Sequence, residues 1–240
     1  MQKPGRGIKM NGTQMIINIY KPKNWTSFDV VAKARGVLRL KKAGHAGTLD
    51  PMAEGVLIVL TNDDTQKQAK FMEMEKEYIA EIAFGAETPT YDLEILPHLN
   101  TEPKSEELFE KLREILPMFT GEIEQSVPPY SAKKIQGKEM YKLARKGVEV
   151  PRQTKKVTIR SIDILEMGSK ELETDAGLIS LPAVTMKIRC SSGTFVRSLA
   201  HELGEKLKTG GVLKSLIRSA IGQYRVEDSV KIEDLVSQQL

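Results

Sequence analysis

The stretch that most constrains the fold is residues 43–59, which read AGHAGTLDPMAEGVLIV. Its glycines permit positive backbone φ angles and close approach of the main chain to other groups. Pro51 disfavours helical geometry at Asp50, the residue before it. The apolar run at 55–60 predicts a buried strand. The stretch therefore predicts a tight turn that presents the Asp50 carboxylate beside a rigid strand.

The residues alone leave two interpretations of Asp50. A carboxylate on a loop that a neighbouring strand holds in place is typical of catalytic groups. An aspartate that precedes proline also forms an ordinary Asx turn, which is common in loops and needs no catalytic role. Neither spacing nor composition decides between a catalytic carboxylate and a turn residue, so both interpretations remain open at this point.

Charge is distributed unevenly along a chain whose net charge is only +4. Residues 1–50 carry ten Lys and Arg against two Asp and Glu, and residues 126–160 carry the same numbers. Residues 51–125 carry six against seventeen, and residues 161–240 carry ten against eleven. The two basic segments predict a surface that meets a polyanion. A charge run can also be a solvated face without a partner.

Several classes of protein are excluded by what the chain lacks. It has one cysteine, Cys190, so it cannot form an internal disulfide framework, which suits a reducing compartment. Its longest apolar run is far shorter than the roughly 20 residues of a membrane-spanning helix, and its N-terminus lacks the apolar block of a secretory signal. Neither metal-motif spacing nor a glycine-rich nucleotide loop occurs. The sequence predicts a cytoplasmic protein without a metal or an organic cofactor.

Strand and helix patterns follow one another without a regular βαβ period. Apolar periodicity predicts strands at 15–20, 56–60, 78–84, 156–165 and 183–190. It predicts helices at 27–40, 105–117, 138–146, 194–207 and 211–219, the first with Phe28, Val31 and Leu38 near one apolar face. These elements indicate an α+β fold with a mixed or antiparallel sheet.

Segments in the same order along most of the chain resemble the TruB family of tRNA pseudouridine synthases. The segment GHAGTLDP followed by AEGVLIV is similar to the family signature GHTGTLDPxATGVL. Further similar segments are NIYKPKNWTSFDVVAKAR at 18–35, EKEYIAEIAFGAET at 75–88, VPPYSAKKIQGKEMYKLARKG at 127–147, CSSGTFVRSLAHELGEKL at 190–207 and LKSLIRSAIG at 213–222. These motifs occur in the same order and at compatible spacing, and their joint occurrence supports the resemblance.

The resemblance implies roles for five residues. Asp50 matches the catalytic aspartate, and Tyr78 matches the tyrosine that stacks on the target base. Arg197 matches the arginine that pairs with the catalytic aspartate, and Leu216 matches the leucine that packs beside the base. His45 matches a histidine that contacts the T-loop while the base is flipped out. Four of these residues also have an ordinary structural interpretation. Without the resemblance, Tyr78 would be a core tyrosine, Arg197 a surface arginine, Leu216 a core leucine and His45 a structural histidine.

The resemblance also implies the local supports of the catalytic loop. Lys21 and Pro22 match a Lys-Pro pair that supports this loop in the family. Ala46 and Glu54 stand where the family usually has threonine. Because an inward-facing carboxylate at Glu54 would raise the pKa of Asp50, we expect Glu54 to face solvent or the RNA backbone.

The implied activity is the isomerisation of uridine to pseudouridine in the T-loop of tRNA, at position 55. The implied fold is the pseudouridine synthase α+β fold, with a mixed, mainly antiparallel central sheet flanked by helices. We expect a single catalytic domain over 1–240, with a small RNA-contacting insertion at about 126–150 and without the C-terminal PUA domain of other members. The chemistry requires no metal or organic cofactor.

The expected partner is tRNA, bound by a monomer that needs no obligate protein partner. Two alternatives remain at this point. One is a guide-RNA-dependent synthase of the dyskerin type, which shares the GTLDP motif but is disfavoured by the segment at 127–147. The other is a non-catalytic tRNA-binding or tRNA-folding protein that keeps the synthase fold. Such a protein could have lost Asp50, Tyr78 or Arg197, yet all three are present, which favours the enzyme.

Overall fold

The structure is a computed structural model that describes residues 8–11, 14–128, 134–135, 138–139 and 153–235. It divides into two compact units. We call Met1–Ile79 with Leu216–Leu240 the terminal unit, and Ala80–Ser215 the middle unit. Most of the insertion predicted at about 126–150 lies outside the described residues. The single catalytic domain therefore stays a prediction.

The described residues form β-strands, α-helices and short 3₁₀ helices. The strands are β1 (Ile8–Asn11), β2 (Gln14–Lys21), β3 (Ala43–His45), β4 (Glu54–Thr61), β5 (Lys76–Phe84), β6 (Ala86–Glu87), β7 (His98–Leu99), β8 (Gly121–Ser126), β9 (Lys134–Ile135), β10 (Lys138–Glu139), β11 (Thr154–Thr174), β12 (Gly177–Cys190), β13 (Gly211–Ile221) and β14 (Tyr224–Arg225). The α-helices are α1 (Ser27–Val37), α2 (Gln68–Glu73), α3 (Ser105–Ile115) and α4 (Val196–Leu207). The 3₁₀ helices are Asn62–Lys67, Leu116–Phe119, Val226–Asp228 and Ile232–Asp234.

The sheet of the terminal unit is mixed and mainly antiparallel. Its order is β1, β2, β4 and the part of β13 that begins at Leu216. Strands β1, β2 and β4 pair antiparallel, and β3 adds antiparallel to β4. Strand β4 pairs in parallel with β13, with Ile217 opposite Glu54 and Arg218 opposite Gly55. Strands from the first and the last quarter of the sequence therefore meet in one sheet.

Strand β4 is buried on both faces, as its continuous apolar run predicts. On one face, Leu57 and Val59 pack in a cluster with residues of β2 and α1. On the other face, Val56, Ile58 and Leu60 pack in a second cluster with residues of α2, β13 and β14. The loop that carries Asp50 therefore leads directly into a strand that is packed on both faces.

Helix α1 begins at a capping box and packs Val31 and Leu38 of the predicted face against the core, but not Phe28. The Asp29 N–H donates to the Thr26 hydroxyl at 3.1 Å, and the Thr26 N–H donates to the Asp29 carboxylate at 2.8 Å. The buried residues of the helix are Ser27, Val30, Val31 and Ala34. The prediction that Phe28 belongs to the apolar face is wrong, because 74% of its surface is exposed.

The middle unit contains a long antiparallel hairpin that packs against neighbouring strands and helices. Its strand order is β5, β12, β11 and β8, and β11 and β12 pair from Ile159 opposite Cys190 to Thr174 opposite Gly177. A cluster of small and aliphatic side chains fills one part of its core: Ala83, Ala86, Leu172, Leu181, Ala183 and Val212. Cys190, the last residue of β12, is buried.

The α+β fold class with a mixed, mainly antiparallel sheet is confirmed. The predicted strands at 15–20, 56–60 and 78–84 correspond to β2, β4 and β5, each of which extends slightly beyond the prediction. The predicted helices at 27–40, 105–117 and 194–207 correspond to α1, α3 and α4, each of which is shorter than predicted. Among the described residues, no helix has the length and apolar character needed to span a membrane.

The helix predicted at 211–219 is wrong, because these residues form β13. Leu213, Leu216 and Ile217 have the i, i+3, i+4 spacing of a helix face. In the structure Leu213 and Leu216 lie on opposite faces of a strand, yet both are buried. A strand that is covered on both faces does not alternate between apolar and polar residues, so its sequence pattern cannot distinguish it from a helix.

The helix predicted at 138–146 is wrong at its first two residues and lies otherwise outside the described residues. Lys138–Glu139 forms β10, which pairs antiparallel with β9.

Candidate active site

The loop between β3 and β4 carries Asp50 in the terminal unit. Its apolar residues Ala46, Leu49 and Ala53 are buried, whereas Asp50 is half-buried. The Ala53 N–H donates to the Asp50 carbonyl at 3.1 Å, and this bond closes a turn around Pro51. The loop is therefore packed by its small and apolar side chains, and the Asp50 carboxylate lies at the boundary between core and solvent.

Helix α1 holds this loop immediately before Asp50. The Leu49 N–H donates to the Ser27 hydroxyl at 2.9 Å, and the same hydroxyl donates to the Leu49 carbonyl at 3.2 Å. Ser27 is only 3% exposed. Because one hydroxyl satisfies both main-chain groups of Leu49 away from water, the first residue of α1 fixes the backbone that leads into Asp50.

A buried lysine holds the other side of the loop. The Lys21 ammonium group donates to the carbonyls of Pro22 at 2.9 Å, Trp25 at 2.6 Å and Pro51 at 3.3 Å. Burial lowers the pKa of Lys21 to about 8, while the carboxylates of Glu54 and Asp50 act in the opposite direction. The contact with the Pro51 carbonyl agrees with the loop-supporting role that the resemblance implies for Lys21.

A buried arginine on β13 holds the glycine-rich side of the loop. The Arg218 guanidinium donates to the carbonyls of Val56 at 2.8 Å, Thr48 at 3.3 Å and Gly47 at 3.1 Å. Gly47 has a φ of +101°, a conformation that glycine adopts without strain. Arg218 is 1% exposed, so its charge is removed from water and satisfied by main-chain oxygen atoms.

Gly55 allows this arginine strand to approach β4. Its φ is +105°, and a Cβ atom at this position would lie 2.4 Å from the Arg218 carbonyl oxygen. Any larger residue would push apart the parallel pair of β4 and β13. The glycine of the sequence signature after Asp50 therefore permits strand pairing, and the pairing in turn places the Arg218 side chain against the loop.

His45 lies at the start of the loop, with its imidazole mostly buried. Burial, and secondarily the charge of Arg218, lowers the pKa of His45, while the Gly47 backbone acts in the opposite direction. Its Nδ1 atom has no hydrogen-bond partner among the described residues. The Gln68 amide donates to the His45 carbonyl at 2.7 Å. The imidazole of His45 is therefore uncharged at neutral pH, and the hydrogen bond from Gln68 holds its backbone in place.

Tyr78 and Leu216 are buried residues of the terminal unit. Tyr78 is 8% exposed on β5, and Leu216 is 6% exposed on β13. Such burial agrees both with ordinary core positions and with the walls of a pocket that closes around a base. Their roles beside a target base therefore stay predictions.

Arg197 lies in the first turn of α4 in the middle unit, where it is 6% exposed. Its guanidinium lies 3.3 Å from the Asp92 carboxylate and donates to the Thr90 carbonyl at 3.1 Å. The interpretation of Arg197 as a surface cation is therefore wrong. The pairing with Asp50 that the resemblance implies joins residues of different units and stays a prediction.

Asp92 is a charged residue that sequence analysis missed. It is 1% exposed, and its carbonyl accepts a hydrogen bond from the Thr88 hydroxyl at 2.7 Å. In the sequence it stands in the polar segment TPTYD, which resembles an ordinary surface loop. The burial of Asp92 follows from its pairing with Arg197, which is 105 positions away in the sequence. Local sequence patterns therefore could not indicate it.

Glu54 is engaged by a neighbouring strand. Its carboxylate accepts a hydrogen bond from the Tyr20 hydroxyl at 3.1 Å. Burial raises the pKa of Tyr20, and the negative charge of Glu54 raises it further. The expectation that Glu54 faces solvent or the RNA backbone stays a prediction, because a half-buried carboxylate can accept this bond and still face outward.

No metal site is evident in the described part of the chain, since no three His, Cys, Asp or Glu residues are grouped there to hold an ion. The described part of the site thus offers a half-buried carboxylate on a fixed backbone, a neutral imidazole and buried cations bonded to main-chain carbonyls. Such a group suits acid–base or nucleophilic chemistry by Asp50.

Comparison with known proteins identifies similar chains. Residues 35–196 match the family described as TruB family pseudouridylate synthase, N-terminal domain. The chain is 42% identical over 227 residues to the tRNA pseudouridine synthase B of Clostridium kluyveri, which covers 94% of this chain and 73% of that protein. It is 42% identical over 222 residues to the protein of the same name from Phocaeicola vulgatus, covering 89% of this chain and 88% of that protein.

Solved structures give a similar result at lower identity. A chain in the crystal structure of a Cbf5-Nop10-Gar1 complex matches with a TM-score of 0.64 and 26% identity, covering 91% of this chain. A chain in the archaeal box H/ACA sRNP Nop10-Cbf5 complex matches with a TM-score of 0.62 and 27% identity, covering 92%. This chain spans 52% of each of those chains.

Proposed function

The chain belongs to the TruB family of pseudouridylate synthases, and from this premise we propose that it isomerises uridine to pseudouridine in tRNA, at T-loop position 55. The observation that carries the proposal is the loop of Asp50, whose backbone is fixed by Ser27, Lys21 and Arg218. A carboxylate on a loop held from three directions is suited to meet a reacting sugar in one orientation.

The reaction is an isomerisation, so it needs no external reactant. The N-glycosidic bond of uridine breaks, the uracil rotates, and a bond forms between the sugar and C5 of the base, which then loses its proton. Asp50 takes part either as a nucleophile at the sugar or as a base that removes the 2′ proton. Both routes require an ionised carboxylate in a fixed position, and both return that carboxylate unchanged.

The other site residues hold the flipped base in this proposal. Tyr78 stacks on the uracil and handles the C5 proton, while Leu216 packs beside the ring. His45 contacts the T-loop as a neutral imidazole, in keeping with its lowered pKa. Arg197 of the middle unit takes part in substrate binding, and Asp92 fixes the orientation of its side chain. These assignments rest on the motifs and agree with the burial of each side chain.

Sequence similarity favours tRNA over guide-RNA complexes as the context of the reaction. Relatives named tRNA pseudouridine synthase B are 40–42% identical to this chain, whereas chains from the Cbf5 complexes are 26–27% identical. The Cbf5 structures contain protein partners. We propose that this chain instead acts on tRNA without a protein partner, as a monomer in the cytoplasm, where tRNA is abundant.

Tritium release from a tRNA transcript labelled at C5 of uridine tests this function. The purified chain alone, in buffer with EDTA, is expected to release tritium from the transcript. A transcript with cytidine at position 55 is the matched control and is expected to release none from that site. If the chain binds the transcript but releases no tritium, the enzymatic proposal is overturned and a tRNA-folding role replaces it.

A further inference from the structure

Phe28 is an aromatic residue that lies exposed on the surface of α1, where its ring adds little to the stability of the fold. Its ring leaves 74% of its surface in contact with water. Every other aromatic residue that the structure describes is buried or half-buried. Because an apolar ring gains free energy when it leaves water, a lone exposed phenylalanine on a rigid element is suited to cover by a partner.

The position of Phe28 is fixed relative to Asp50. Phe28 follows Ser27, whose hydroxyl bonds both main-chain groups of Leu49, and Asp50 follows Leu49. This path of consecutive residues and hydrogen bonds limits the distance between the Cα atoms of Phe28 and Asp50 to at most about 15 Å. The capping box of Thr26 and Asp29 fixes the backbone on both sides of the phenylalanine.

The charge around Phe28 identifies the class of partner. Residues 21–42 contain seven Lys and Arg, of which six are exposed and Lys21 is buried, and one acidic residue, Asp29. The Asp29 carboxylate is occupied by the N–H and the hydroxyl of Thr26. An exposed ring within a strongly basic segment is suited to a polyanion that also has flat apolar faces. RNA meets both requirements, since its phosphates bind cations and its bases stack on aromatic rings.

We propose that Phe28 is a stacking platform for a nucleobase of the tRNA close to the target uridine. This inference rests on the proposed function of the Asp50 loop. Because Ser27 joins α1 to that loop, a base stacked on Phe28 aligns the RNA with the element that carries Asp50. Phe28 contributes to substrate binding in this account and takes no part in bond breaking, which distinguishes it from Asp50.

Steady-state kinetics of three variants tests the proposal. Phe28→Ala removes the ring, Phe28→Leu keeps an apolar side chain without a flat aromatic face, and Phe28→Trp keeps a larger aromatic face. We expect Phe28→Ala and Phe28→Leu to raise KM for a T-stem-loop RNA about tenfold with kcat within twofold of the parent. We expect Phe28→Trp to restore KM to within threefold. Leu178→Ala is the matched control, since Leu178 is another apolar residue with 67% exposure.

The outcomes separate this inference from the proposed function. If the parent chain is active and Phe28→Leu has the KM of the parent, the ring is not a stacking platform and the inference is overturned. If kcat falls while KM is unchanged, the ring acts on chemistry and the binding role is also overturned. If the parent chain itself is inactive, the proposed function fails first. Thermal unfolding of all variants should differ little, because the ring packs against little of the protein.

Discussion

Two buried arginines, one in each unit, are satisfied by different kinds of acceptor. In the terminal unit, Arg218 donates to three main-chain carbonyls, two of them in the loop of Asp50. In the middle unit, Arg197 lies against the carboxylate of Asp92. Bonds to carbonyls fix a backbone and leave the charge of the cation in place, whereas an ion pair cancels much of the charge. The first arrangement therefore positions a loop, and the second orients a side chain.

The largest expected effect is that of removing the carbonyl-bound arginine. Arg218→Met leaves three buried carbonyl groups without their donor. We expect the free energy of unfolding to fall by at least about 3 kcal/mol, with loss of activity. Urea denaturation measures the first effect. Arg35→Met, which removes an exposed arginine of α1, is the control, and an equal loss in both variants would contradict the anchoring role of Arg218.

Lys21 should make the terminal unit sensitive to alkaline pH. Its pKa is about 8 in the folded chain and higher in the unfolded chain, so the unfolded chain holds more protons between these values. The contribution of this group to the free energy of unfolding therefore rises with pH, from about pH 8 to about 10.4, by at most about 3 kcal/mol. Denaturation of the parent chain and of Lys21→Met across this range measures the difference.

Deprotonation of Lys21 should lower the catalytic rate, although it raises the free energy of unfolding. Above about pH 8 the neutral Lys21 amine has fewer N–H donors for the three carbonyls that it contacts. We expect the single-turnover rate of the parent chain to fall above about pH 8. In Lys21→Arg, whose guanidinium keeps its proton, we expect the fall to begin at a higher pH. A rate that is unchanged between pH 7 and 9.5 would show that the charge of Lys21 does not position the Asp50 loop.

A smaller effect is expected from weakening the ion pair of the middle unit. Asp92→Asn keeps the shape of the side chain and removes its charge, so Arg197 keeps its carbonyl contact with Thr90. We expect the free energy of unfolding to fall by about 2 kcal/mol. If the pair is the reason, Asp92→Asn should cost much less in an Arg197→Met background, and a double-mutant cycle measures this coupling.

The smallest effect is expected at an exposed pair of the middle unit, His98 and Asp175, whose side chains lie 2.5 Å apart. Asp175 raises the pKa of His98, and the Leu99 N–H and His98 lower the pKa of Asp175. The contribution of His98 to the free energy of unfolding is full below about pH 6.5 and is lost as pH rises through the raised pKa of this histidine. The aspartate contribution is lost as pH falls through its lowered pKa.

Nuclear magnetic resonance gives the direct check on this pair. In Asp175→Asn the pKa of His98 should return toward its ordinary value of about 6.5, while thermal stability changes little because both groups are exposed. An unchanged pKa would mean that the pair does not form in solution. The contrast with Asp92 then shows how strongly burial amplifies an ion pair.

Local patterns in the sequence predicted the loop of Asp50 and the strands around it. The turn chemistry of Gly47 and Pro51 and the apolar run of β4 depend on neighbouring residues, so they could be interpreted without a fold. The sequence did not reveal the role of Arg218. Its segment has a helical pattern, and its contacts with Gly47 and Thr48 join residues about 170 positions apart.

Residues that depend on distant partners were equally difficult to predict. Phe28 has the spacing of a core residue, but Val30 and Ala34 face the core instead. Asp92 stands in a polar segment that gives no indication of burial. In both cases the environment is determined by elements that are far away in sequence, so periodicity alone could not assign it.

The central claim is that the Asp50 carboxylate performs the reaction on a loop whose position is fixed independently of it. Single-turnover formation of pseudouridine by Asp50→Asn, with RNA affinity measured in parallel, tests this claim most directly. The account predicts a rate at least about a thousandfold below that of the parent chain, with a Kd for the T-stem-loop within about threefold. A variant that keeps a rate within tenfold of the parent would contradict it.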